Sequence, residues 1–173
     1  KPRMSLTREY FLADMVKKHG MRRFAELGLW KGRTFFHLLD TCPDLSMIGV
    51  DAWIKRPGNV APGAETYKAW NMDGLRAHVT TKAKDYGDRA RILIMETSEA
   101  APLIEDGSLC GVFIDADHSE AGCRRDIELW RPKLKPGGLL SGHDIDWPTV
   151  KAAVKDLVPE YQVATDNVWW THV

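Results

Sequence analysis

The sequence predicts an α/β domain built as a parallel sheet with helices on its faces. Three observations carry this. Short apolar runs of strand length alternate with amphipathic stretches of helical period along the chain. The runs at 91–95 and 110–114 are almost continuously apolar, as strands buried on both faces must be. The first strand leads into a glycine turn that opens a helix, the arrangement used to bring backbone close to a ligand. With 173 residues the chain suits a single domain, 1–173, around one sizeable core.

The elements follow in order. Residues 6–18 read as a helix within an N-terminal segment 1–20, with Phe11, Leu12, Met15 and Val16 on one face and Gly20 as its stop. A strand at 23–27 ends in the glycine turn, and a helix is expected at 32–39. A second strand, 47–50, closes on Asp51. The insertion 52–90 begins with a Pro/Gly-rich loop, 56–63, and continues as a helical segment, 65–84. Its position after a strand's carboxyl end suits either a lid or a surface connection. Strands at 91–95 and 110–114 come next, the latter ending at Asp115. A helix at 119–130 turns Ile127 and Trp130 toward the sheet. Lys135-Pro136-Gly137-Gly138 forms a turn before a strand at 139–141, and a helix spans 149–157. Strands at 161–164 and 168–171 flank Asp166-Asn167, residues suited to a hairpin turn. Trp169 and Trp170 are adjacent on the last strand, so they face opposite sides of the sheet. One is expected in the core and the other at a subunit contact.

Composition narrows the function. The 24 basic and 24 acidic residues cancel, so the basic excess of a nucleic-acid-binding domain is missing. No apolar run approaches the ~20 residues that cross a bilayer, and no membrane partner is expected. Residues 1–10 lack the apolar stretch of a signal peptide. Three widely spaced cysteines, Cys42, Cys110 and Cys123, fit neither a disulfide framework nor a zinc site, so a reduced, cytoplasmic setting is expected.

The chemistry concentrates at strand ends. In Glu26-Leu27-Gly28-Leu29-Trp30-Lys31-Gly32, Gly28 permits a sharp turn and Gly32 lets the helix start near the strand. Glu26 can accept from an ammonium group beside that turn. Asp51, about 20 residues further on, can accept both hydroxyls of a ribose. The E-x-G-x-x-x-G spacing is wider than the G-x-G-x-x-G turn that a pyrophosphate prefers.

These segments resemble the class I S-adenosylmethionine (SAM)-dependent methyltransferases. The resemblance rests on the glycine turn, Asp51, Met95-Glu96-Thr97-Ser98, Phe113-Ile114-Asp115-Ala116-Asp117-His118 and Leu134-Lys135-Pro136-Gly137-Gly138. D-x-D-H-S followed later by Gly142-His143-Asp144 is most similar to the small O-methyltransferase-like branch, with its caffeoyl-CoA, catechol-type and macrocin-type sugar O-methyltransferases. The resemblance runs from Phe24 to the C-terminus. It implies a Rossmann-like fold whose seven-stranded sheet has the order 3-2-1-4-5-7-6, the seventh strand antiparallel. It implies that SAM is bound by Glu26, Gly28, Gly32 and Asp51, with Trp53 stacking on adenine or shaping the pocket, Glu96 and Ser98 near adenine, and Asp117 near SAM. Ser98 and Asp117 suit helix caps equally well.

Relatives in this branch hold a divalent cation, often Mg²⁺, on carboxylates after the fourth and fifth strands. Asp115 and Asp144 match two of these positions. The third ligand falls on His143 or Asp146, and whether a metal is used stays open. His118 and His143 are the candidate bases beside Asp115 and Asp144, since imidazole titrates near neutrality. The implied reaction is methyl transfer to a hydroxyl of a small molecule or sugar, with homo-oligomer formation left open. Two other readings stand beside it: a dinucleotide-dependent oxidoreductase, and a SAM-fold binding module without catalysis.

Overall fold

A computed structural model describes residues 7–56, 59 and 70–173 of the chain. In chain order the elements are α1 (Arg8–Lys18), β1 (Arg23–Leu27), α2 (Arg33–Thr41), β2 (Ser46–Val50), α3 (Met72–Ala83), β3 (Ala90–Leu93), α4 (Thr97–Ala100), β4 (Leu109–Ile114), α5 (Glu120–Trp130), β5 (Leu134–Gly142), α6 (Pro148–Leu157), β6 (Gln162–Val163) and β7 (Trp169–His172). The seven strands form one sheet in the order β3-β2-β1-β4-β5-β7-β6. The first five pair in parallel, and β7 runs antiparallel to both β5 and β6. After β1 the chain builds one half of the sheet, then returns to build the other half from β4. That reversal opens a crevice at the carboxyl ends of β1 and β4, where open α/β sheets bind ligands.

Two apolar layers cover the sheet. One packs α1, α2 and α3 onto residues such as Phe24, Met47 and Phe113. The other packs α5 and α6 onto Leu27, Val50, Ile114 and Leu140, with Trp130 and Trp169 fully buried. The opposite orientations expected for the paired tryptophans hold, since Trp169 enters this second layer. Trp170, on the other face, is half-buried and packs against the first layer, its ring 6.0 Å from that of Phe11 on α1.

Several boundaries differ from expectation for local reasons. Residue 6 lies outside the described residues, and α1 begins at Arg8. The second helix starts after Gly32, which is its left-handed N-cap (φ 76°), and runs on to Thr41. Of the expected 65–84 helix, residues 65–69 lie outside the described residues; α3 starts at Met72 because Asn71 caps it, accepting from the Gly74 amide. Within the 56–63 loop only Arg56 and Asn59 are described. β3 stops at Leu93 because Glu96 and Glu99 form a reciprocal capping box that starts α4. β5 extends back to Leu134 through the glycine pair, and a register shift between Leu109 and Gly111 absorbs the irregularity. The terminal hairpin is narrower at β6 and displaced by one residue at β7. Its turn places Asp166 and Asn167 at φ 57° and 54°, left-handed values these side chains tolerate well. The three cysteines are free and buried. Among the described residues no helix is long and apolar enough to cross a membrane.

Candidate active site

The glycine turn after β1 forms the floor of the crevice. Gly28 sits at φ 87°, and a Cβ there would lie 2.1 Å from the carbonyl oxygen of Asp115. Only glycine therefore lets this turn close over the end of β4. Asp51, at the end of β2, holds the turn from the other side. Its Oδ2 accepts the amides of Leu29 (2.8 Å) and Trp30 (2.9 Å), and its Oδ1 accepts that of Trp53 (2.6 Å). Trp30 and Trp53 adopt left-handed φ values of 49° and 48°, which bulky residues keep only when bonds enforce them. Each carboxylate oxygen retains lone-pair capacity for a further donor.

Beneath the turn lies Glu26, 4% exposed, whose Oε2 is buried without a hydrogen-bond partner among the described residues. Burial, and next the neighbouring charge of Asp115, push its pKa well above the ordinary carboxylate value. Such a group is satisfied by a cationic donor.

Farther along, the ends of β4 and β5 bring two aspartates and two histidines together. His118 Nε2 lies 2.5 Å from Asp144 Oδ2 and 3.3 Å from Asp115 Oδ1, while its Nδ1 faces the carbonyl of Ala116 at 3.2 Å. Both ring nitrogens thus face oxygen acceptors, which favours the doubly protonated ring. Burial opposes that charge, but the bonds to Asp115 and Asp144 outweigh it and raise the pKa to about 9. In turn, burial raises the two carboxyls less than the histidines lower them, and both lie below the ordinary aspartate value. Asn59 fixes the strand-to-helix loop, donating to Ala116 O (2.5 Å) and accepting the His118 amide (2.9 Å).

His143 Nδ1 lies 3.2 Å from Asp144 and 3.7 Å from Asp115. Its Nε2 meets Nη1 of Arg8 at 3.0 Å and Asp166 at 3.5 Å. The carboxylates draw its pKa upward against the effect of burial. Arg8, which can only donate, favours a lone pair on the ring nitrogen it faces. Arg8 thus opposes a second ring proton, while Asp144, Asp115 and Asp166 favour it.

A cavity of about 300 Å³ runs from Val50, Asp51, Met95, Glu96 and Thr97 past Gly28 to Asp115, His118, His143 and Asp144. It therefore gathers seven of the expected site residues, Gly28, Asp51, Glu96 and the four Asp/His groups, while Glu26 lies beneath the turn and does not line it. Gly32 stands behind the turn, where a Cβ would strike the Phe36 ring. Trp53 does not line the cavity. It is buried in the core beside α3, and its indole N–H donates to Trp30 O at 3.0 Å, so it braces the turn. Ser98 is neither a cavity residue nor the helix cap, because Glu96 takes the cap position and Thr97 the cavity wall. Asp117 serves the helix start: its Oδ1 accepts the Ser119 amide (2.9 Å), and Arg56 and Arg125 approach its Oδ2 at 3.8 and 3.9 Å. Arg56 also pairs with Glu96.

Sequence reasoning missed Arg8, Asn59, Thr97, Trp70 and Trp147 as cavity residues. Trp147 lies three residues past Asp144, with its ring 4.7 Å from that of His118, and that proximity in sequence was the available signal. For Arg8 there was none, because the sheet order alone brings α1 to this end.

A further candidate for the third metal ligand, His118, joins the expected His143 and Asp146. Ligand atoms of Asp115, His118 and Asp144 lie within 4.8 Å of one another; His143 presents Nδ1 to the same carboxylates but Nε2 to Arg8 and Asp166, and Asp146 is exposed. Two carboxylates and an imidazole fit a divalent transition ion better than Mg²⁺, which favours oxygen alone.

The chain matches the family model described as a methyltransferase domain over residues 25–145. It belongs to that family. No curated protein sequence matches it. Solved structures do. The O-methyltransferase TomG of Streptomyces achromogenes, involved in tomaymycin synthesis and solved with SAM, matches at a TM-score of 0.68 and 12% identity, covering 99% of this chain and 82% of that one. The methyltransferase PaMTH1 of Podospora anserina, bound to S-adenosylhomocysteine (SAH), matches at 0.68 and 13%, covering 94% and 76%. The TDP-rhamnose 3′-O-methyltransferase CalS11 of calicheamicin biosynthesis matches at 0.61 and 16%, covering 96% and 81%. At these identities the likeness speaks for the fold.

Proposed function

We propose that this methyltransferase moves the methyl group of SAM to a hydroxyl of a small molecule or sugar. The observation that carries the reading is the continuity of one cavity from Asp51 to the Asp115–His118–Asp144 cluster. Asp51 suits the ribose hydroxyls, and the orphaned oxygen of Glu26 suits the ammonium group of the cofactor's amino-acid end. Gly28 lets backbone approach the ligand. SAM bound there supplies an electrophilic methyl on a sulfonium that is already a good leaving group.

What remains for the protein is to orient the acceptor oxygen and take its proton. Asp144 and Asp115 can hold the hydroxyl by accepting its proton in a hydrogen bond. His118 Nε2 lies within reach of both carboxylates and is the acceptor for that proton once it is free. A bare lone pair 2.5 Å from a carboxylate oxygen is repelled, so Nε2 carries either a proton or a cation. In the metal-free protein it carries a proton at neutral pH, and activity should rise with pH toward about 9. A divalent cation on Asp115, Asp144 and His118 would instead lower the acceptor's own pKa. The ring of Trp147 forms a flat wall beside this centre, suited to a ring-shaped acceptor.

Calorimetric titration with SAH, NAD and NADP, followed by a screen of phenolic and sugar hydroxyls with labelled SAM, tests the reading. Micromolar SAH binding and label transfer to oxygen are expected. NAD(P) binding without SAH binding would return the dinucleotide reading, and SAH binding without transfer to any hydroxyl would leave a binding module.

A further inference from the structure

His118 stands in the loop between β4 and α5, and its backbone is held from outside that loop. Its N–H donates to Asn59 Oδ1 at 2.9 Å, and its carbonyl accepts from Thr149 Oγ1 at 2.6 Å. Asn59 also donates through Nδ2 to the Ala116 carbonyl at 2.5 Å. One of these neighbours only accepts and the other only donates, so the Asn59 amide has a single workable orientation. Its two ends clasp residues 116 and 118 as a partner strand would.

The Ala116 carbonyl has a second partner, since His118 Nδ1 lies 3.2 Å from it. Asn59 therefore reaches the imidazole by two routes: through the His118 N–H, and through the oxygen that the ring's Nδ1 faces. On the far side of the ring, Nε2 meets Asp144 at 2.5 Å and Asp115 at 3.3 Å. A shift of the 116–118 backbone that broke the Nδ1 contact would also swing Nε2 off those carboxylates. An imidazole that moves a proton or holds a cation is oriented by what its other nitrogen meets. Asn59 is itself anchored: its N–H donates to Arg56 O at 3.0 Å, and Arg56 pairs with Glu96. The clasp on His118 thus comes from a residue 59 positions earlier, in the segment that follows Asp51.

We propose that Asn59 is a positioning residue, which holds the 116–118 backbone so that the His118 ring stays on Asp115 and Asp144. Both ends of its amide are engaged in that clasp, so it acts on the rate of methyl transfer and not on cofactor affinity. This rests on the role given above to His118 as acceptor of the substrate proton.

The test compares the full-length wild type with Asn59→Ala and Asn59→Leu, in chelator and at one pH. The leucine variant keeps the volume and makes neither bond. NMR signals of the histidine rings, with that of His118 assigned through His118→Gln, report ring surroundings directly; His19 and His37, outside the cavity, are internal references. Both variants should displace or broaden the His118 signals and leave the two references in place. Asn71→Ala, which removes the cap bond of α3, controls for lost stability and should leave the His118 signals unchanged. SAH affinity should stay near the wild-type value while kcat falls by up to about 100-fold, the effect of misplacing a reacting group by about 1 Å. Unchanged His118 signals in both Asn59 variants overturn the assignment, whether or not an acceptor has been found. A loss of SAH affinity as large as the loss of rate overturns it too. Failure of the wild type to bind SAH would instead sink the cofactor reading and leave the ring spectra to decide on Asn59.

Discussion

Gly28→Ala separates two costs that glycine avoids in this fold. The φ of 87° is left-handed, and an L side chain there costs about 1–2 kcal/mol. The second cost is steric. The new Cβ would meet Asp115 O at 2.1 Å, Asp115 C at 2.6 Å and Ala116 Cα at 2.9 Å, where ordinary contact begins at 3.4 Å. All three are backbone atoms, so no side chain can swing aside. The turn must lift by more than an ångström or the end of β4 must yield, straining the Asp115 N–H bond to Leu27 O (2.8 Å). Overpacking of this kind adds roughly 1–3 kcal/mol or more. Gly107→Ala provides the comparison: its φ is 68°, and nothing lies within 4 Å of its Cβ. In urea, with a slope of about 2 kcal/mol per molar, Gly107→Ala should move the unfolding midpoint down by about 0.5–1 M and Gly28→Ala by about 1–2.5 M. Gly28→Ala should also lose SAH binding, whereas Gly107→Ala should keep it. Equal midpoint shifts for the two variants would refute the claim that the turn is packed against β4.

Burial favours the protonated form of the Glu26 carboxyl, and an arriving ammonium group favours the ionised one. SAH binding should therefore release protons, seen as a dependence of the binding heat on buffer ionisation, and Glu26→Gln should abolish that release. His118 binds its proton more tightly folded (about 9) than unfolded (6.5), so its contribution is complete below pH 6.5 and is lost as pH rises through 9. In chelator, denaturant titrations should show His118→Gln removing a decline of about 3 kcal/mol over that window. Mn²⁺ at a hundred times its dissociation constant should stabilise the protein by about 2.7 kcal/mol, and Asp115→Asn should erase the effect; no thermal shift with any divalent ion would leave the cluster metal-free. Trp147→Ala should lower kcat/KM for the acceptor tenfold or more and leave SAH affinity unchanged.

The sheet was legible because each strand end carries a marker: the glycine turn after β1, Asp51 after β2, Asp115 after β4 and Asp144 after β5. These residues point to strand carboxyl ends, and the topology gathers such ends in one place. What the sequence hid was side-chain direction. Trp53 follows Asp51 directly, but its left-handed φ turns the indole into the core. Ser98 has the right chemistry for a cap, yet Glu96 and Glu99 cap each other first. His118 and His143 flank the same carboxylates, and only the position of Arg8, 135 residues from His143, separates their roles. A contact at that separation leaves no local pattern to read.

The three amides held by Asp51 have a consequence for the kinetics of encounter. Leu29, Trp30 and Trp53 are ordered by bonds made inside the protein, so their backbone entropy is lost on folding and not on binding. A ligand arriving at this end meets a finished surface. Its association should be a single diffusive step, linear in ligand concentration, with no slow rearrangement of the turn behind it.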